Sequence, residues 1–185
     1  GVLELALNAI TPVAKLVSKV ELGQSISPEG WQLLAYYSWE QDRGKVLSED
    51  ASDQERYKLF KLLAENAPGD LAVAKSRLQM LAIDHWAGLN ADDSAQRDIY
   101  RDQLGLILAD SGLSSANRDN LMYGGAHLAK ALADGPQLVT LLQHLSDNMK
   151  NILANTELNL LMRLRALSGW VLLEMAALDN GQGLS

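Results

Sequence analysis

Cysteine is absent from the chain. Its absence removes thiol catalysis, disulfides and thiolate metal sites. It leaves the compartment open between cytoplasm and periplasm, since a chain without thiols persists in either. Positive charge is in short supply too: 16 Lys and Arg face 23 Asp and Glu, for a net charge of −7. A surface that tracks phosphates needs clustered Lys and Arg, so no nucleic-acid partner is expected. The one local basic pair, Arg163 and Arg165 in "MRLRAL" (Met162 to Leu167), sits in an otherwise apolar stretch. It reads as side chains that snorkel or pair with acids. Apolar runs stop short of the ~18 uninterrupted residues that a membrane-spanning helix requires, so no span is expected.

Several catalytic signatures are missing as well. There is no phosphate-cradling Gly-x-x-x-x-Gly-Lys-Ser/Thr run and no His-Glu-x-x-His zinc motif. Di-iron bundles use Glu-x-x-His, but the residues three before His85, His127 and His144 are Ala82, Gly124 and Leu141. The Gly-x-Ser-x-Gly nucleophile elbow is absent, and "ADSGL" (Ala109 to Leu113) reads as a helix that ends at Gly112. No catalytic residue, resident metal or cofactor is expected, and the chain is read as a non-enzyme.

What remains is helix. The chain holds 36 Leu and 23 Ala but only 17 Val, Ile and Thr together. Branched residues lose side-chain freedom in helices and favour sheets, so this balance points to an all-α fold. No run alternates polar and β-branched residues between turns. Punctuation falls at Gly23, Gly44, Pro68-Gly69, Gly88, Gly112, Gly135-Pro136 and Asn155-Thr156. These stops are roughly 20 residues apart, with apolar patterns of helical spacing between them.

About eight helices follow. The first covers residues 2 to 22, with Leu3, Leu7, Ile10, Val13, Val17 and Val20 on one face. The second opens at Pro28, where a missing N–H costs nothing. The third follows Ser52, whose spacing to Glu55 reads as a capping box. The fourth runs from Gly69 to Ala87, and the fifth opens at Asp92-Asp93, whose charges suit a helix N-terminus. The sixth starts at Ser114 or Ser115, the seventh after Gly135-Pro136 and the eighth after Thr156. Short connections fold consecutive helices into antiparallel hairpins. Pairing one with two, three with four, five with six and seven with eight gives a period of about 44 residues, the scale of helix-pair arrays. The longer link "GKVLSEDAS" (Gly44 to Ser52) is read as a solvated turn.

"LLAENAPGD" (Leu62 to Asp70) resembles the end of a tetratricopeptide repeat's second helix. "YGGAHLAKALADGPQLVTLLQHL" (Tyr123 to Leu145) resembles that family's small-residue helix crossing, with Gly124, Gly125 and Ala129 at the close contact. The resemblance implies stacked helical hairpins, an α-solenoid or irregular helical bundle that binds other proteins. It carries over no catalytic residue.

Four of the ten aromatic rings lie within "WQLLAYYSWE" (Trp31 to Glu40). At 100° per residue, Leu34, Ala35 and Ser38 fall within about 60° of Trp31 and Trp39 near 80°, while Leu33, Tyr36 and Tyr37 lie at roughly 140° to 240°. A helix apolar over so much of its circumference is covered on more than one flank. Either these rings pack between hairpins, or some line a groove that holds a partner, since Trp and Tyr are common interface anchors. Trp31, Tyr36, Tyr37 and Trp39 are the candidate partner- or ligand-binding residues.

His127 and His144 flank the Gly135 turn at similar heights, with Asp147 beyond, so a metal or acid–base site there is weighed against histidines on different sides. His85 closes a helix. Lys15 and Lys19 on the first segment are too few for a membrane-surface helix, which reads as a terminal cap. The chain begins at Gly1 without a methionine, and it is read as one domain over residues 1 to 185, a fragment whose signal peptide or membrane anchor lies elsewhere in a longer chain. The expected function is a non-catalytic protein–protein interaction scaffold or adaptor with a protein partner, within a membrane-associated assembly. The alternative is a ligand-sensing regulatory domain with an apolar pocket near Trp31, Trp39 and Trp86.

Overall fold

The computed structural model describes residues 13–40, 51–116, 124–181 and 183–185. Among these residues there are nine helices and no strand. They are α1 (residues 13–21), α2 (Pro28–Glu40), α3 (Asp53–Asn66), α4 (Ala72–Gly88) and α5 (Ser94–Ala109), then α6 (Ser111–Ala116), α7 (Ala126–Leu132), α8 (Gly135–Ala154) and α9 (Leu160–Asp179). The all-α expectation of about eight helices holds. The first half of the expected first helix, most of the Gly44 to Ser52 link and the middle of the expected sixth helix lie outside the described residues. Two compact units divide the chain, Gly1–Ala91 and Asp92–Ser185.

Within the first unit, α1 to α4 share one core. Val13, Val17 and Val20 from α1 join Trp31 and Leu34 from α2, Phe60 and Leu63 from α3, and Leu78 and Leu81 from α4. Helix α1 closes on Gly23, whose φ of +73° is a left-handed conformation open to glycine. The Gly23 N–H donates to the Val20 carbonyl and Gln24 N–H to Lys19 O, at 3.0 and 2.8 Å, the paired bonds of a Schellman ending. At the start of α2, a Cβ on Gly30 would lie 3.2 Å from Leu16 Cδ2, so the missing side chain lets α1 approach.

Helices α3 and α4 pack as a hairpin, with α2 also against α4. Ser52 caps α3 as its spacing to Glu55 implied: its Oγ accepts from Glu55 N at 3.2 Å and donates to Glu55 Oε1 at 3.0 Å. The far end of α3 has no basic residue of its own. Lys75 supplies one from α4, donating from Nζ to Ala64 O and Ala67 O at 2.9 and 2.7 Å. His85 lies in the last turn of α4 and stacks on Phe60, centroids 4.9 Å apart and planes 8° from parallel. Past Gly88, Asn90 takes a φ of +51°, the left-handed position that follows the helix.

In the second unit α8 is the common support, touching α5, α6, α7 and α9. Asp93 caps α5 by accepting from Gln96 N at 3.0 Å. The expected stop at Gly112 and restart at Ser114 or Ser115 are corrected. Helix α5 ends at Ala109, and Asp110 Oδ1 accepts from Leu113 N at 3.0 Å, so α6 starts at Ser111 and Gly112 lies inside its first turn. Pro136 stands in the first turn of α8, as expected after Gly135. Helix α9 starts three residues later than Glu157, because Asn155 Oδ1 holds Glu157 N in a turn and Asn159 Oδ1 accepts from Met162 N as the cap.

The Lys75 arrangement recurs here. Asn148 Nδ2 donates to Leu108 O at the end of α5, and Arg163 Nε to Leu153 O at the end of α8, both at 3.2 Å. Arg163 therefore satisfies a helix end. The last residues fold back along α8 and α9: Leu184 N donates to Glu174 Oε1 and Ser185 N to Gln143 Oε1, while Lys150 Nζ donates to Ser185 O.

Candidate functional site

The three described rings of the α2 cluster part company. Trp31 is 5% exposed, and Leu34, Ala35 and Ser38 beside it on the same stripe are buried, so this flank is core. Tyr37 is half-buried and packs against that core. Tyr36 is 47% exposed and meets Tyr37 edge-on, centroids 5.4 Å apart at 86°. The Trp39 side chain lies outside the described residues.

Tyr36 lines an open groove of about 440 Å³ between α2 and the start of α4. Gln32 stands on the same wall, with Val73 and Arg77 opposite and Asp70 at one end. The volume falls in the range of small-ligand clefts. The groove is not the enclosed pocket expected among Trp31, Trp39 and Trp86, because Trp31 and Trp86 are each 5% exposed and belong to the packed interior.

His127 is exposed and His144 half-buried, and Asp147 accepts from Gln143 Nε2 at 2.9 Å. Among the described residues no group of three or more His, Asp or Glu side chains is placed to hold a metal ion. At the crossing read from the sequence, Gly125 and Ala129 are buried, while a Cβ on Gly124 would meet nothing within 4 Å.

A larger surface lies on α9. Its inward side is built from small residues and a few large ones: Ala166, Leu173, Ala176 and Ala177 are buried, and a Cβ on Gly169 would lie 3.6 Å from the Met149 sulfur on α8. The other side carries bulk. Leu161, Leu164, Val171, Met175 and Leu178 are each between 49% and 59% exposed, with Ser168 among them. Leu160, Leu167 and Leu172 widen the face to eight large apolar side chains, with Leu160 and Leu172 more exposed still. Only Arg165 and Asp179 bring charge to this side, both along one edge.

An α-helix apolar on every side is ordinarily enclosed. Here α8 covers one side and nothing described covers the other. The signal was present in the sequence as a long apolar segment without a polar stripe. Helical spacing alone does not say which side a neighbour takes, so the face went unread. No described helix is long and apolar enough to cross a membrane, α9 with its four charged residues included. Comparison of the chain with family models, curated proteins and solved structures finds no match.

Proposed function

We propose that the chain is a non-catalytic protein-interaction module whose docking surface is the outward face of α9. The observation that carries this reading is the eight large apolar side chains held in solvent along one 20-residue helix. Contiguous apolar patches beyond a few hundred Å² are rare on proteins that work alone, and they mark surfaces that another molecule covers. Hydrophobic anchors at helical spacing are what a facing helix reads. The reading does not depend on a tetratricopeptide-like repeat, because the face belongs to one helix.

The chain offers no thiol, and among the described residues no group of three or more His, Asp or Glu side chains is placed to hold a metal ion. The Tyr36 groove is a separate open surface that sets Gln32, Asp70 and Arg77 beside apolar residues.

The test is site-specific photo-cross-linking in the native cell. A benzophenone amino acid replacing Leu172, which is 65% exposed, is expected to give a discrete protein adduct. The same probe at Lys58, exposed on α3, serves as the control. Equal or absent labelling at the two positions would overturn the reading.

A further inference from the structure

We infer that the partner covering the α9 face is a second copy of the same chain, docked antiparallel through its own α9. The inference rests on the interaction reading above and names its occupant. Three features of the face lead to it.

The first is the order of side chains. Leu161, Leu164, Ser168, Val171, Met175 and Leu178 follow alternating steps of three and four residues, the spacing of a helix-pairing seam. Reversing the direction of a second identical seam pairs Leu161 with Leu178, Leu164 with Met175, and Ser168 with Val171. Every layer then sets a large side chain against a large one, or the small Ser168 against a β-branched valine near the centre. A parallel pair would stack Ser168 on Ser168 and lose that match. The seam is complementary to its own reverse, as a two-fold interface requires.

The second is charge. The six seam positions carry none, so they hold nothing for a charged partner to complement. Arg165 and Asp179 stand on the same edge of the seam, and both are exposed. In an antiparallel pair, like edges meet, so opposite charges from the two copies share one border. A membrane surface is a poorer fit: Arg165 is the one cation on this side of α9, and the chain is strongly acidic.

The third is area. Covering the eight exposed apolar side chains would remove up to about 800 Å² from each copy, about one partner's share of a standard stable interface. The pair of α8–α9 hairpins would then resemble a four-helix arrangement with the two α9 helices at its centre.

The absence of cysteine makes the test clean, since any introduced thiol is the sole thiol. Light scattering on the full chain is expected to give twice the chain mass. Leu164→Glu and Val171→Glu should each weaken self-association at least about a hundredfold, because each buries an unpaired charge in the seam. Both positions face solvent in one copy, so circular dichroism of the variants should stay native. Under mild oxidation, chains carrying Leu164→Cys should cross-link to chains carrying Met175→Cys, and Leu164→Cys alone should not. Cross-linking of Leu164→Cys with itself would overturn the antiparallel arrangement. A monomer at every concentration would overturn self-association. In that case a Leu172 adduct with a different protein leaves the interaction reading standing, and no adduct overturns both.

Discussion

Replacing Lys75 with methionine should destabilise the first unit by about 2 kcal/mol, and the estimate can be built from the structure. Lys75 Nζ reaches the carbonyls of Ala64 and Ala67 at 2.9 and 2.7 Å. The last carbonyls of a helix have no partner inside it, and they carry the negative end of its dipole. A hydrogen bond to a charged group contributes about 1.5–3 kcal/mol in a protected site. The dipole adds about 0.3–1 kcal/mol, while partial exposure at Lys75 pulls the total down. Methionine keeps most of the packed stem, so the loss isolates the ammonium. Lys58→Met is the matched control: Lys58 is exposed on the same α3, and its loss should stay within about 0.5 kcal/mol. Urea unfolding read by tryptophan fluorescence suits the measurement, since Trp31 and Trp86 are both buried in this unit. With a slope of about 2 kcal/mol per molar, the midpoint should fall by about 1 M. An equal shift for the two variants would refute the argument that this lysine closes α3.

Two further substitutions test the same unit. Phe60→Ala removes a fully buried ring that stacks on His85, and it should cost about 3–5 kcal/mol by chemical denaturation, enough to leave the unit marginal at room temperature. Gly23→Ala meets no atom within 4 Å, so its cost of about 1–2 kcal/mol would come from the backbone at a φ of +73° alone. A thermal melt unchanged by Gly23→Ala would show that α1 closes in another way.

Local chemistry was readable before any coordinates. The stripe of Trp31, Leu34, Ala35 and Ser38 follows from 100° steps around a helix, and all four are buried. Ser52 before Glu55, and Pro136 just after Gly135, announced helix starts because their side chains act on the nearest turn. Asp110 misled for a related reason. Its carboxylate restarts a helix one residue after the previous one stops, which overrides the glycine at 112. The interhelical closures by Lys75, Asn148 and Arg163 had no local signature, since each depends on which helix end the fold brings near. The α9 face was hidden in the same way: its composition was visible, and its exposure depends on α8 covering only one side.

Helix α9 keeps most of its bulk on the outside. Three alanines, Gly169 and a single large residue, Leu173, occupy the side that touches α8, while six leucines, a valine and a methionine stand in solvent on the other. Under the proposed pairing the two sides of this helix answer to different demands. Enlarging Gly169 or Ala166 should be felt as misfolding, while polar replacements at Leu164 or Leu178 should spare the monomer and weaken association. A saturation library scored in parallel for abundance and for assembly should then split the two sides of one helix, and a library with no assembly-only stripe would count against the pairing.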